Sequence, residues 1–272
     1  MRLVTYRSER GDRAGVLRND RLVDAGASVR ELLADPHRLA SLAEADGEER
    51  ALSEVELRPP VPDPEKIVCI GLNYRSHAAE AGMDPPESPT FFAKFRNALA
   101  PPGAAVPLPS ASDKVDFEAE VALVIGRRAR EVEPDAALDH VAGYALLNDL
   151  SARDLQFATP QWMPGKVFDG SAPFGPALVT PDEAGPHDGI EIALDLNGER
   201  MQQASTSDLI FSVPELVARL SRLMTLEPGD VISTGTPSGV GSTRDPRVWL
   251  RPGDRIEISS PTLGRLATRI AD

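Results

Sequence analysis

The 272-residue chain contains 41% hydrophobic and 26% charged residues, which is the composition of a globular protein rather than a disordered one. Its formal net charge of -13 repels nucleic acid phosphates and anionic lipids, and no cluster of lysine and arginine reverses that charge locally. We therefore expect no nucleic acid partner and no membrane partner.

Export signals are also missing from the sequence. The first residues lack the basic start and apolar run of a signal peptide, and no segment approaches the ~18 apolar residues of a membrane span. The single cysteine, Cys69, cannot form an internal disulfide, which agrees with a reducing compartment. The sequence predicts a cytoplasmic protein.

Residues 1–60 predict a small α/β domain at the N-terminus. Residues 2–6 and 13–23 predict short strands, the second segment folded back through a polar turn. Ser28 is typical of a helix N-cap, and Pro36 interrupts the helix that follows. Four prolines in residues 58–64 fit neither a helix nor a sheet, so they predict the boundary to a second domain over residues 61–272.

The second domain is predicted to be rich in strands and poor in helices. Apolar runs and alternating patterns predict strands at residues 66–71, 115–126, 143–150, 190–196, 230–234, 255–259 and 265–270. Helical spacing predicts helices at residues 76–81 and 214–224. Together these elements predict a β-rich α+β protein.

Acidic side chains alternate along the strand predicted for residues 115–126. Because successive strand residues point to opposite faces, Asp116, Glu118 and Glu120 share one face. A solvated edge strand would also show this pattern. However, the acidic face continues with apolar residues, which indicates that this face is buried. Burying carboxylates without compensating cations or hydrogen bonds costs free energy. Oxygen-only ligands of this kind suit a hard cation: Mg²⁺, Mn²⁺ or Ca²⁺.

A further acid, Asp149, stands at the end of the apolar strand predicted for residues 143–150. An Asn-Asp pair at a strand end is also typical of a turn, so Asp149 alone indicates little. Combined with the alternating acids, it completes a candidate set of three ligands for the cation.

The predicted helix at residues 76–81 carries a second candidate pair. His77 and Glu80 are three residues apart, so they share a helix face and could hydrogen-bond. A glutamate-held imidazole is a plausible general base for water, although an exposed pair without a role has the same spacing.

Polar residues in predicted loops offer groups for binding an anion. Lys166 lies among apolar and turn residues and could bind a carboxylate or enolate oxygen, although loop lysines are commonly solvated. Arg153 and Gln156 follow Asp149 closely enough in the sequence to reach a metal-bound acid. The alternative is that both are solvated loop residues without a role in binding. The loop around Thr236 offers free backbone N–H groups but lacks the Lys-Ser/Thr ending of a phosphate-binding P-loop.

Taken in order, these motifs resemble the fumarylacetoacetate hydrolase family, from about residue 66 to the C-terminus. The matching segments are Gly71-Leu-Asn-Tyr with His77 and Glu80, Asp116-Phe-Glu-Ala-Glu120, Asn148-Asp-Leu-Ser-Ala-Arg-Asp-Leu-Gln156, Gly165-Lys-Val-Phe-Asp169 and Thr234-Gly-Thr-Pro-Ser-Gly-Val-Gly241. The resemblance implies a mixed β-roll or β-sandwich-like main domain of the fumarylacetoacetase C-terminal type, preceded by a small N-terminal domain, and a homodimer.

The resemblance also implies roles for the candidate residues. The implied metal ligands for Mg²⁺ or Mn²⁺ are Glu118, Glu120 and Asp149, with Asp116 as a neighbour of the site. The implied catalytic residues are His77, Glu80 and Lys166. The implied substrate-binding residues are Arg153, Gln156 and Thr236. One departure is Leu72, where many acylpyruvase-type relatives carry arginine.

The implied substrate is a small oxo acid. Chelation of a 2-oxo carboxylate by the cation stabilises the enolate that forms when a neighbouring bond breaks. The presence of the His77–Glu80 pair and Lys166 favours hydrolysis of a C–C bond in a 2,4-dioxo acid. The alternative is decarboxylation or tautomerisation of a related oxo diacid, such as oxaloacetate or 2-hydroxyhepta-2,4-diene-1,7-dioate. A non-catalytic metal-binding protein is the less favoured third class.

Overall fold

The computed structural model describes residues 1–42, 47 and 49–272. The strands are, in chain order, β1 Arg2–Ser8, β2 Gly11–Arg18, β3 Arg21–Asp24, β4 Glu49–Ala51, β5 Leu57–Arg58, β6 Ile67–Gly71, β7 Thr90–Lys94, β8 Leu99–Ala100, β9 Ala105–Val106, β10 Val115–Asp116, β11 Ala119–Ile125, β12 Val141–Asn148, β13 Ser151–Ala152, β14 Ala172–Val179, β15 Glu191–Leu196, β16 Glu199–Ser205, β17 Val231–Ser233, β18 Arg255–Ser260 and β19 Gly264–Ile270. The helices are α1 Val29–Ala34, α2 Pro36–Ser41, α3 Arg75–Glu80, α4 Pro134–Ala137, α5 Arg153–Gln156, α6 Pro181–Ala184 and α7 Val213–Leu223.

The described part of the chain contains three sheets. The largest has the order β4-β3-β2-β1-β14-β12-β11-β17-β6-β7, a second has the order β16-β15-β18-β19-β9, and β10 pairs with β13. Most neighbours are antiparallel, but β17 pairs with β6 in parallel, so the largest sheet is mixed. The predicted β-rich α+β class is confirmed. Among the described residues, no helix combines the length and the hydropathy needed to span a bilayer.

The N-terminal segment joins the largest sheet directly, because β1 pairs with β14. Ser28 caps α1 as predicted and forms a capping box with Glu31. The single helix interrupted by Pro36 is instead two helices, since Asp35 ends α1 and its carboxylate accepts hydrogen bonds from the first N–H groups of α2. The sheet is continuous across the predicted domain boundary at residues 60–61, and that boundary stays a prediction.

The acid-bearing segment is not one strand, as predicted, but two. β10 pairs with β13, whereas β11 pairs with β12 and β17. At the break between β10 and β11, side-chain oxygens replace backbone oxygens as hydrogen-bond acceptors. Asn148 Oδ1 accepts from the Glu118 N–H at 3.1 Å, and Gln202 Oε1 accepts from the Ala119 N–H at 2.9 Å. The prediction of a continuous strand over residues 115–126 is therefore wrong, because these two side chains hold the backbone out of the sheet.

β11 is buried on both faces, as its sequence indicates. Val121, Leu123 and Ile125 lie in one buried core together with residues of α7 and β15. Ala122 and Val124 lie in the opposite core, together with residues of α1 and β6. The strand therefore runs between two apolar layers, and the prediction that the acidic face is buried is confirmed.

The close approach of β12 and β14 depends on a glycine. A Cβ atom at Gly143 would lie 2.3 Å from the backbone oxygen of Val179, so the two strands would have to separate. We expect Gly143→Ala to lower the free energy of unfolding by roughly 1–3 kcal/mol, the usual cost of overpacking. Urea denaturation measures this loss.

Gly189→Ala is the matched control, because a Cβ atom there would meet its nearest neighbour only at 3.7 Å. The control should change the stability by less than about 0.5 kcal/mol. Equal stability losses in the two variants would contradict the close strand approach.

Candidate active site

The predicted metal ligands converge where β11 begins and β12 ends. The two strands are antiparallel with Ala119 opposite Asn148, so Glu120 on β11 comes close to Asp149, which directly follows β12. Glu118 lies just before β11, and its backbone oxygen accepts from the Asp149 N–H at 2.9 Å. One carboxylate oxygen from each of the three acids lies within 4.8 Å of the others, and all three side chains are buried.

Buried cations compensate part of this charge. Lys166 Nζ lies 2.6 Å from Glu118 Oε2 and 2.8 Å from Asp149 Oδ2. Arg153 Nη2 lies 2.8 Å from Glu118 Oε1. Desolvation raises the pKa of Glu118, but the charges of Arg153 and Lys166 lower it by more, so the carboxyl stays ionised.

Lys94 is a buried cation that the sequence reasoning missed. Its Nζ lies 2.8 Å from Asp149 Oδ1 and donates to Ser171 Oγ at 3.0 Å and to the backbone oxygen of Lys166. The signal that could have identified Lys94 is the strand-forming segment Thr90-Phe-Phe-Ala-Lys, which forms β7 and ends at this lysine. Asp149 is therefore held between two lysines, one on each oxygen.

Glu120 differs from the other acids because none of the described cations forms an ion pair with it. Its Oε2 accepts from Ser233 Oγ and from the Gly235 N–H. Desolvation and the charges of Asp149 and Glu118 raise its pKa well above the ordinary value. An unpaired buried carboxylate among hard oxygen ligands fits the requirements of a divalent cation.

Asp116 does not line the cavity of the site but hydrogen-bonds to residues that surround it. Its Oδ2 lies 2.8 Å from Arg153 Nε, and its Oδ1 accepts from the Gly241 N–H at 2.7 Å. Asp116 therefore fixes Arg153 and the loop after β17 relative to each other. With Asp116 included, four buried carboxyl groups face three buried cations, Lys94, Arg153 and Lys166, so one negative charge remains when Glu120 is ionised.

The predicted pair on α3 is formed. His77 Nδ1 lies 3.0 Å from Glu80 Oε2, and Glu80 Oε1 accepts from the Gly239 N–H at 2.8 Å. Glu80 thus links α3 to the loop after β17. Because Glu80 occupies Nδ1, the other ring nitrogen of His77, Nε2, is the one left to face a ligand.

The predicted substrate-binding residues differ in whether their polar groups remain available to a ligand. Gln156 Oε1 accepts from Arg153 Nη1 at 3.0 Å, which leaves the Gln156 NH₂ group for a ligand. The Thr236 hydroxyl donates to the Ala119 backbone oxygen at 3.0 Å and accepts from Gln202 Nε2 at 2.9 Å. Thr236 therefore lies in the site with its hydroxyl already hydrogen-bonded.

A cavity of about 460 Å³ brings the candidate residues together. Every predicted site residue except Glu80 lines it, and Glu80 contacts His77, which does. Aromatic side chains of Phe92, Trp162 and Trp249 form apolar walls beside the acids. A concave, partly apolar cavity with convergent charged groups is typical of a small-molecule site.

Three clustered carboxylates beside such a cavity define a candidate metalloenzyme on a β-rich fold. The sequence matches the family described as fumarylacetoacetate (FAA) hydrolase C-terminal over residues 66–271. The chain therefore belongs to the fumarylacetoacetate hydrolase family, and the resemblance of the motifs is confirmed.

Two similar proteins are named for the same activity. A mitochondrial oxaloacetate tautomerase of Bos taurus is 42% identical over 221 residues, which cover 80% of this chain and 70% of that protein. An oxaloacetate tautomerase of Bacillus subtilis (strain 168) is 40% identical over 258 residues, which cover 92% of this chain and 86% of that protein.

Solved structures with the same fold carry several activities in their names. A putative HpcE protein from Mycobacterium smegmatis has a TM-score of 0.89 and 36% identity, covering 100% of this chain and 99% of that one. A 2-hydroxyhepta-2,4-diene-1,7-dioate isomerase from Mycobacterium marinum has a TM-score of 0.84 and 30% identity, covering 100% and 98%. A maleylpyruvate hydrolase from Sphingobium.sp SYK-6 has a TM-score of 0.84 and 32% identity, covering 100% and 99%.

The contacts of Glu80 predict a pH-dependent contribution to stability. Partial burial raises the pKa of Glu80, but hydrogen bonds from His77, Gly239 and Thr243 lower it by more, to below its ordinary value of 4.5. A lowered folded-state pKa means that the stabilisation is present above pH 4.5 and is lost as the pH falls through the folded-state pKa. We expect Glu80→Gln to be less stable than the wild type at pH 7, with a smaller difference near pH 3.

Urea midpoints between pH 3 and pH 7 measure this effect. Glu87→Gln, in the exposed segment that follows α3, is the matched control and should follow the wild type at every pH. A constant difference between Glu80→Gln and wild type over the whole range would contradict the assigned contacts.

Proposed function

We propose that the protein is a divalent-metal-dependent tautomerase that interconverts the enol and keto forms of a 2-oxo diacid, with oxaloacetate as the first substrate to test. The observation that carries the proposal is the cluster of Glu118, Glu120 and Asp149 beside His77 in one cavity. The two oxaloacetate tautomerases similar to this chain support the tautomerase alternative over the hydrolysis favoured by the sequence motifs.

Tautomerisation requires less of the protein than hydrolysis does. A proton leaves the enol hydroxyl and a proton adds to C3, while no bond between heavy atoms breaks and no water attacks. A cation held by the three carboxylates supplies positive charge that stabilises the enolate. The choice is Mg²⁺ or Mn²⁺, with Ca²⁺ as a third candidate, because the donors are all oxygens.

The side chains of this chain supply binding and proton transfer. His77 carries the proton at Nε2, while Glu80 holds the ring through Nδ1. Lys166, buried between Glu118 and Asp149, forms an ion pair with both carboxylates and presents positive charge to the substrate oxygens. The free NH₂ group of Gln156 donates a hydrogen bond to the substrate carboxylate.

C–C bond hydrolysis remains the second candidate. The same His77–Glu80 pair could activate water, and a maleylpyruvate hydrolase shares the fold. Decarboxylation of oxaloacetate uses the same enolate. We also propose that the protein is cytoplasmic and forms a homodimer.

Ketonisation of enol-oxaloacetate, followed by its ultraviolet absorbance, tests the function. We expect acceleration with Mg²⁺ and none in chelator, and we expect Glu118→Ala to abolish turnover because a ligand is lost. His77→Asn can still pair with Glu80 but cannot carry the proton, so kcat should fall about 10²–10⁴-fold.

His37→Asn is the matched control, since His37 is exposed on α2 and should leave the rate unchanged. Parallel assays of acylpyruvate cleavage and CO₂ release measure the competing reactions. A wild-type enzyme that cleaves acylpyruvates rapidly and does not accelerate ketonisation would replace the tautomerase with a hydrolase.

A further inference from the structure

Two cations line the cavity without taking part in the acid cluster. Lys114 and Arg247 both contribute to the cavity wall, and both are exposed. Neither side chain forms an ion pair with any of the described acidic residues, whereas Arg153 and Lys166 in the same cavity are fully paired. Lys114 and Arg247 are called the outer cations below.

The fold brings the outer cations together through β10. Lys114 immediately precedes β10, and its backbone oxygen accepts from the Arg153 N–H at 3.0 Å. On the other side, the Leu250 N–H donates to the Val115 backbone oxygen at 2.8 Å, which anchors the segment that carries Arg247.

A second anchor fixes the Arg247 segment to the loop after β17. The Val248 N–H donates to the Gly241 backbone oxygen at 3.0 Å, and the Gly241 N–H donates to Asp116 Oδ1 at 2.7 Å. A Cβ atom at Gly241 would lie 2.1 Å from the Val248 backbone oxygen, so only glycine permits this approach. The backbones that carry the outer cations are therefore held to the same strand.

The charge at this part of the cavity is positive. Asp154 also lines the cavity, but its Oδ1 already accepts from Ser112 Oγ at 2.5 Å and from the Leu155 N–H at 3.0 Å. Outside the acid cluster and its paired cations, the lining therefore contains two cations and one carboxylate, which leave one positive charge. Positive charge in the lining of a cavity favours an anionic group of the ligand.

We propose that the outer cations bind the distal carboxylate of a dicarboxylic substrate whose 2-oxo acid end faces Glu118, Glu120 and Asp149. The substrate class rests on the proposed function. Arg247 supplies a planar fork that can bind a carboxylate through two hydrogen bonds, and Lys114 adds a point charge. The aromatic side chains in the lining suit the uncharged carbon chain of such a substrate, and about 460 Å³ leaves room for more than four carbons.

A matched pair of ligands isolates the distal carboxylate. 2-Oxoadipate and 2-oxohexanoate have the same number of carbons and the same 2-oxo acid end, but only the first has a second carboxylate. Calorimetric titration of the Mg²⁺-supplemented protein should show 2-oxoadipate binding at least about tenfold more tightly, as expected for one charge-assisted contact. The double variant Arg247→Gln/Lys114→Gln should bind the two acids within about twofold of each other.

Arg251→Gln/Arg10→Gln is the control for net charge, because both arginines are exposed and lie outside the cavity. It should keep the tenfold preference, and the single variant Arg247→Lys should retain part of it. Equal binding of the two acids by the wild type, or an unchanged preference in Arg247→Gln/Lys114→Gln, would overturn the proposal. These titrations report the distal site even if ketonisation is not accelerated, so the two proposals can fail separately.

Discussion

The site depends on the burial of four carboxylates, three of which, Glu118, Glu120 and Asp149, have oxygens within 4.8 Å of one another. Asp116, Glu118, Glu120 and Asp149 are each at most 5% exposed, and such a group is stable only where cations and hydrogen bonds offset the lost hydration. Lys94, Arg153 and Lys166 provide most of that compensation. Glu120 has no such cation among the residues that the structure describes, and the divalent cation that we propose would pair with its ionised form, which would link the stability of the fold to the chemistry of the site.

Two acids, Asp116 and Glu80, also organise the walls of the cavity. Asp116 ties Arg153 to the loop after β17, while Glu80 ties α3 to that loop at Gly239. Elements that are distant in the sequence are thus fixed around one cavity by buried or partly buried acids. The cavity lining thus combines an acid cluster that fits a cation with the outer cations, Lys114 and Arg247, which we propose to bind an anion.

Much of the site follows from the sequence, because strand alternation and order along the chain are local signals. Glu118, Glu120 and Asp149 were expected together, and the structure brings them together. Lys94 was missed because its partner, Asp149, comes from a strand that is remote in sequence. The strand break before Ala119 was missed because the side chain of Gln202, far along the chain, replaces a backbone partner.

For two of the strands that were not predicted, β14 and β16, the structure shows why the local sequence pattern gave no signal. β14 contains Pro173, Gly175 and Pro176, which are turn signals, yet it lies buried inside the largest sheet. β16 is polar because it forms an edge of the second sheet, with little apolar alternation to detect. In both strands, tertiary position overrides the local pattern.

Crystals grown with Mn²⁺ and measured for anomalous scattering test the central claim most directly. The account predicts one strong peak bound by oxygens of Glu118, Glu120 and Asp149, at metal–oxygen distances of about 2.1 Å. The peak should disappear in Glu120→Gln while Lys94 and Lys166 stay paired with Asp149. A peak held by other residues, or no peak at saturating Mn²⁺, would contradict a cation as the partner of the unpaired carboxylate.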